Sequence, residues 1–267
     1  MGTAESLKSV RLLDFSRKAG GSLQTICQGK DNFYLYLKEQ SFILLSPEGN
    51  ILDRYSPSGE SSSLLSTCIS DLDNDGNDKL LFISGERGAA FGDSLVILDF
   101  DDGFREIYRQ SFPLLNPWKV QTADVDGDDR KEISLGVYKE SPFHQVLAKR
   151  PFLYEWHNHE LVPKWLGSRL SRPFEDYVFA DLDGNGREEL IAIELLESGE
   201  KVLHVYSWKG FGFEGLGESP SFADIHSIYI SWDDDTPLVQ AQVKTGRKTN
   251  QKSFYFDGTQ LTVSPGN

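Results

Sequence analysis

Asp71-Leu72-Asp73-Asn74-Asp75-Gly76, Asp124-Val125-Asp126-Gly127-Asp128-Asp129 and Asp181-Leu182-Asp183-Gly184-Asn185-Gly186 are three versions of one short acidic loop. Each puts a carboxylate or amide oxygen at its first, third and fifth positions, and each runs into an apolar, strand-like stretch at 80–83, 133–137 or 190–193. Alternate side chains around a tight turn point inward, so these oxygens converge on one centre. The main-chain carbonyl of the seventh residue, Asn77, Arg130 or Arg187, adds an uncharged ligand. An all-oxygen donor set without His or Cys suits a hard cation taking roughly six to eight ligands, which favours calcium over magnesium, zinc or copper.

An EF-hand loop begins the same way, but it ends in a bidentate Glu at position 12 and lies between two helices. Position 12 here is Phe82, Leu135 or Ala192, and the stretches that follow the loops are short and rich in apolar and β-branched residues. They read as buried strands, so the EF-hand is rejected. Position 9 is the alternative closing ligand: Glu132 in the second loop and Glu189 in the third. The first loop has Lys79 there, with Asp78 beside it, and is expected to be the weakest site or an empty one.

From Asp71 to Asp124 and from Asp124 to Asp181 the spacing is 53 and then 57 residues, close to the period of a four-stranded propeller blade. Behind each loop the sequence predicts a strand, a connection, an aromatic-rich strand (94–100, 152–156, 201–208), a turn and a further strand. Asp102-Gly103, His157-Asn158-His159 and Lys209-Gly210 carry the turn chemistry. Two worn copies flank these three. One runs from Asp31 through the Pro47-Glu48-Gly49-Asn50 turn, and the other holds Asp233-Asp234-Asp235 and ends past Asp257-Gly258. The expectation is an all-β propeller of about five four-stranded blades with calcium-binding loops between first and second strands. It forms a single domain over 10–267, behind an N-terminal tail or expression remnant at 1–9, with 10–15 free to pair at a sheet edge and close the ring.

On these loops the chain resembles the FG-GAP or VCBS repeat family, the calcium-loop propellers that include the integrin α-subunit head and several fungal and bacterial lectins. The resemblance covers the chain from about Asp31 onward, with the motif in three units of five. It implies two or three structural calcium ions, held by Asp71, Asp73, Asp75 and Asn77, by Asp124, Asp126, Asp128, Arg130 and Glu132, and by Asp181, Asp183, Asn185, Arg187 and Glu189. The chain departs from the family at Lys79, at Asp129 where glycine usually turns the loop, and in having five units against the seven of integrin heads.

Thirteen of the 41 acidic residues crowd into 71–78, 124–132 and 181–189, a repulsive arrangement unless a cation is present. The net charge of −14 disfavours nucleic acid or an anionic membrane surface as partner. No apolar run approaches the ~18 residues of a membrane helix, so no transmembrane segment is expected. Cys27 and Cys68 read as small buried residues rather than a disulfide. Loops of this kind suit millimolar calcium, which points to an extracytoplasmic setting: secreted, periplasmic or cell-surface.

No catalytic set stands out. His157-Asn158-His159 spells a nuclease-like triplet but sits in a predicted turn, and no nucleophile elbow is present. With the acidic loops on one propeller face, the connections at 85–93, 111–119, 140–151 and 168–176 should emerge on the other, carrying Arg87, Phe91, Trp118, His144, Arg150, Arg172 and Phe174. Arg and aromatic side chains are enriched at binding hot spots. The reading is a monomeric, non-enzymatic recognition scaffold for a protein or glycan. The alternative is a carbohydrate-binding lectin or glycan-processing enzyme using Trp118, Trp156, Trp165, Trp208 and Trp232 as stacking surfaces.

Overall fold

A computed structural model of the chain describes residues 21–57, 62–100, 102–167, 169–234, 236–246 and 248–264. Among these residues the regular structure is entirely β, in five four-stranded sheets each built from sequence-consecutive strands. The first sheet holds β1 (Ser22–Gln28), β2 (Asp31–Lys38), β3 (Ser41–Leu45) and β4 (Ile51–Tyr55). The second holds β5 (Ser62–Ser70), β6 (Lys79–Glu86), β7 (Ser94–Phe100) and β8 (Phe104–Ser111). The third holds β9 (Lys119–Ala123), β10 (Glu132–Ser141), β11 (His144–His157) and β12 (Glu160–Trp165). β13 (Phe174–Ala180), β14 (Glu189–Leu195), β15 (Lys201–Trp208) and β16 (Phe213–Glu218) form the fourth. The fifth holds β17 (Asp224–Asp233), β18 (Thr236–Thr245), β19 (Lys248–Phe256) and β20 (Leu261–Val263). This is the five-bladed β-propeller that the repeat spacing predicts.

The second strands of the second and fourth blades are continuous apolar runs because both of their faces are covered, whereas the third strand of the fifth blade, β19, is exposed over its first four residues. β6 is buried from Lys79 to Gly85, and β14 from Glu189 to Glu194. The fourth strand β8 carries Arg, Glu and Gln and is largely exposed, which blunts the sheet edge, while β16 is mostly half-buried. The His157-Asn158-His159 triplet is a turn, as its composition predicts: Asn158 and His159 have φ of 50° and 63°, the positive angles of a two-residue hairpin connection. In the fifth blade Asp233 and Thr236 pair directly, and Asp234 (φ 50°) turns the chain. Asp233 and Asp234 thus belong to a hairpin; Asp235 lies outside the described residues.

Each described sheet is built from four sequence-consecutive strands; the segment 10–15, expected to pair at a sheet edge, lies outside the described residues. Two expectations change. The stretch 140–151, read as a loop, is mostly sheet. Tyr138 pairs with Lys149, Lys139 with Ala148 and Ser141 with His144, so β10 and β11 form a long hairpin turned at Pro142-Phe143. Cys27 is exposed rather than buried, because alternation along β1 gives the inward place to Ile26.

The strands gather into two compact units, Met1–Val120 with Trp156–Leu161, and Gln121–Glu155 with Val162–Asn267. The core of the first is aromatic: Phe82 lies 5.4 Å from Phe42 and 5.8 Å from Tyr55 between ring centroids, and Phe104 also packs on Phe42 and Tyr55. The core of the second is aliphatic, with Ile191, Leu203, Val205, Val239 and Val243 packed around Phe254. Replacing Phe82, which is fully buried, by Ala should cost about 3–5 kcal/mol in urea unfolding. A loss near zero would show that the cluster does not pack as described.

Candidate metal centre

All three acidic loops connect the first strand of a blade to its second: 71–78 between β5 and β6, 124–131 between β9 and β10, and 181–188 between β13 and β14. In each, the first aspartate gathers the amides of its own turn. Asp71 accepts from the N–H groups of Asp75 and Gly76, Asp124 from Gly127, Asp128 and Asp129, and Asp181 from Gly184, Asn185 and Gly186. The fifth side chain repeats this at shorter range: Asp75, Asp128 and Asn185 accept from the amides of Asn77, Arg130 and Arg187 at 2.8–2.9 Å. These bonds aim the seventh carbonyl and tie the acidic side chains into the turn. Glycines at the bends, such as Gly76, Gly127 and Gly186, have φ of 77–86°, which a side chain would strain.

Position 9 separates the loops. Glu132 and Glu189 are both only 2% exposed. One oxygen of each accepts the amide of the second loop residue, Val125 at 3.1 Å and Leu182 at 3.0 Å. In the third loop, oxygens of Asp181, Asp183 and Glu189 lie within 4.8 Å of one another, and no Lys or Arg among the described residues pairs with them. Burial, with the Asp183 and Asp181 carboxylates close by, pushes Glu189 up to about 7.

In the second loop Asp124, Asp126 and Asp128 converge equally closely. Here a lysine enters from β12: Lys164 Nζ donates to Asp126 Oδ2 and, at 2.6 Å, to Glu132 Oε1, with Glu155 at 3.6 Å. Burial raises the Glu132 carboxyl, and the Lys164 bond opposes that rise. Burial lowers Lys164 itself, but its bonds to Asp126 and Glu132 outweigh the loss and hold the ammonium above the usual lysine range. The other oxygen of Asp126, Oδ1, is buried with no hydrogen-bond partner, as an open ligand atom would be.

In the first loop Lys79, 4% exposed, turns its own Nζ inward. It donates to the seventh carbonyl, that of Asn77, at 3.0 Å, and stands 3.8 Å from Asp75 and 4.0 Å from Asp73. The donor chemistry fits a hard cation in the third loop, and in the second once Lys164 withdraws. The first does not fit, because an ammonium holds those oxygens.

Position 8, which sequence reasoning passed over, ties a loop to the preceding blade. The Asp78 amide donates to the Cys27 carbonyl at 2.9 Å, and the Cys27 amide donates back to the Asp78 carboxylate at 2.7 Å. The third loop repeats the exchange on the second: Glu188 N to Asp124 O at 2.7 Å, and Asp124 N to Glu188 Oε1 at 3.4 Å. Lys131 completes that contact through Glu188, and the Arg187 side chain lies over Gly127. The acidic residues at 78 and 188 were the available signal.

The residues expected to face a partner divide. In the first unit Arg87 is exposed, and Phe91 and Trp118 are half-buried in the connections after β6 and β8. In the second unit His144, Arg172 and Phe174 line one cavity of about 370 Å³ together with Lys149, Arg169 and Leu170. Arg150 does not face solvent. It is fully buried under the β10–β11 hairpin, donating to the carbonyls of Lys139, His144 and Val146. Arg172 is anchored by Glu218 at 2.8 Å and by the fully buried Glu194 at 3.2 Å. Glu194 also accepts from Tyr206 and pairs with His204, so its oxygens are engaged within the protein. Of the tryptophans offered for sugar stacking, Trp156 and Trp208 are buried in edge-to-face aromatic contacts, and Trp232 is 64% exposed.

No protein-family model matches the chain, and no curated protein matches it.

Two outcomes follow from the loop geometry. Asp78→Ala should lower stability by about 1 kcal/mol in urea unfolding, the cost of one lost backbone-to-carboxylate bond, while Asp78→Asn should cost less. In chelator, Glu189 should make stability depend on pH. A carboxyl raised in the folded state imposes no penalty below its ordinary 4.5, a growing one up to about 7, and a constant one above. Glu189→Gln should therefore overtake the parent chain as pH rises across that window; parallel stability curves would contradict the assignment.

Proposed function

We propose that the protein is a calcium-stabilised propeller of the FG-GAP or VCBS type, acting as a non-enzymatic scaffold that recognises another protein outside the cytoplasm. The observation that carries the recognition reading is the cavity of the second unit. In a chain of net charge −14 its lining includes the cations Lys149 and Arg169, with Arg172 already paired to Glu194 and Glu218, and is otherwise largely apolar. Beside it Val146 and Leu147 are about half exposed, and Phe143, at the hairpin turn between them and β10, is 93% exposed. Apolar surface ringed by cations fits a partner segment that presents a large apolar side chain flanked by carboxylates. The calcium reading is supported by the convergence of Asp181, Asp183 and Glu189 oxygens within 4.8 Å of one another, a donor set through which a cation would stabilise the folded state by binding it.

A glycan partner is the weaker reading, because only Trp232 of the candidate stacking residues is strongly exposed. Two measurements test the proposal together. Calcium should raise the melting temperature over a chelator control. A partner captured from the envelope or secreted fraction should be lost by the Lys149→Glu, Arg169→Glu double variant and retained by Trp232→Ala. Chelator-insensitive melting, or capture indifferent to the charge reversal, would overturn the corresponding half.

A further inference from the structure

We infer that Lys79 is a built-in cation that takes the place of a metal ion in the first loop, and that Lys164 is a tethered competitor for the ion in the second. The three loops are then three different solutions to one charge problem. This rests on the proposed reading of the loops as calcium sites and assigns each a separate behaviour.

The first loop carries the argument furthest. An ion bound there would draw on the third and fifth side chains and the seventh carbonyl. Those three groups, Asp73, Asp75 and Asn77, are the ones around Lys79 Nζ, at 4.0, 3.8 and 3.0 Å. Lys79 also occupies the position from which Glu132 and Glu189 serve the other loops, so the exchange of Glu for Lys removes one ligand and supplies one positive charge in a single step. The ammonium is almost wholly buried while the two aspartates are about half exposed, so the charge sits inside the loop with its counter-ions around it. A flexible surface lysine would leave its head group in water.

The second loop is intermediate. Lys164 comes from the fourth strand of its blade and takes one oxygen from each of two expected ligands, Asp126 and Glu132. Asp124, Asp128, the Arg130 carbonyl and the partnerless Asp126 Oδ1 remain, so a divalent ion has donors to enter by but must displace an ammonium to complete its shell. In the next blade the fourth strand brings Leu216 to the groove beside Asp183 and Glu189. Lys209 lines that same groove, but its ion pair is with Glu214, at 3.8 Å. The third loop therefore keeps its carboxylates free of an internal cation.

Calcium titration by equilibrium dialysis and calorimetry on the full chain tests this. The parent protein should show one tighter and one weaker site; Asp183→Asn should remove the tighter and Asp128→Asn the weaker. Lys164→Met should tighten the weaker site at least tenfold, and Lys79→Glu should add a third. A parent that already binds three ions, a Lys164→Met protein with unchanged affinities, or a folded Lys79→Glu protein that gains no site would each overturn the inference.

A second readout needs no calcium. In chelator, Lys79→Met should melt below the parent, because two half-exposed carboxylates and the Asn77 carbonyl lose the ammonium between them. If the parent binds no calcium at all, the calcium reading fails, while a lower Lys79→Met melting point still upholds the built-in cation and an unchanged one refutes it.

Discussion

The capture of backbone amides by the first aspartate of each acidic loop is the constraint from which the rest of the structure follows. Between the first and second strands of the second, third and fourth blades the chain reverses within eight residues, and several N–H groups are left pointing into the bend. A carboxylate at the head of the loop satisfies two or three of them at once, as Asp124 and Asp181 do, and charge-assisted bonds of this kind are stronger than neutral ones. The same bonds temper the repulsion among neighbouring aspartates, because amide dipoles aimed at a carboxylate act as fixed partial positive charge. The bend is thus wired by the protein alone, and a cation adds to a turn that already has its shape.

From that turn the order spreads in two directions. Along the chain, the loop delivers β6, β10 and β14 into the interior at a fixed register, which is why strands with almost no polar alternation can be specified at all. Across the chain, the eighth residue makes a two-point exchange with the end of the preceding blade's first strand, at Cys27 for Asp78 and at Asp124 for Glu188. Short-range capping and blade-to-blade bracing therefore come from adjacent residues of one motif. The side chain at position 9 is pulled toward both, since it must reach the second amide of its own loop. Glutamate does so in the second and third loops; lysine has no acceptor and turns to the seventh carbonyl instead.

The features legible in the sequence were those set by local chemistry. Repeated Asp-x-Asp spacing, apolar runs behind it and turn dipeptides such as Asn158-His159 report on bonds within a few residues, and the blade count follows from their period. What escaped was decided at longer range. Pro142 and Phe143 look like loop residues, yet pairing of Lys139 with Ala148 extends the sheet to them. Arg150 looks like a surface hot spot, but three carbonyls of its own hairpin draw it under the surface. Lys164 lies 32 residues beyond Glu132, and nothing in its neighbourhood marks it as the occupant of an acidic loop. The exposure of Cys27 reflects strand register, which a single apolar run does not reveal.

Within the second unit, the position of the third loop relative to the cavity constrains what a cation there could do. Residues 169–174 line the cavity at the start of β13, and the loop 181–188 leaves its far end, so the strand's seven residues separate the two by about 20 Å. That distance exceeds the Debye length of about 8 Å at physiological ionic strength, so the part of the field of an ion among Asp181, Asp183 and Glu189 that reaches Arg169 or Lys149 through solvent is largely screened. β13, whose buried side reaches from Phe174 at the cavity to Ala180 at the loop, is the covalent path between the two. An ion in this place would hold the strand in register and would leave the proposed recognition to side chains at the other end, the division of labour expected of a structural metal.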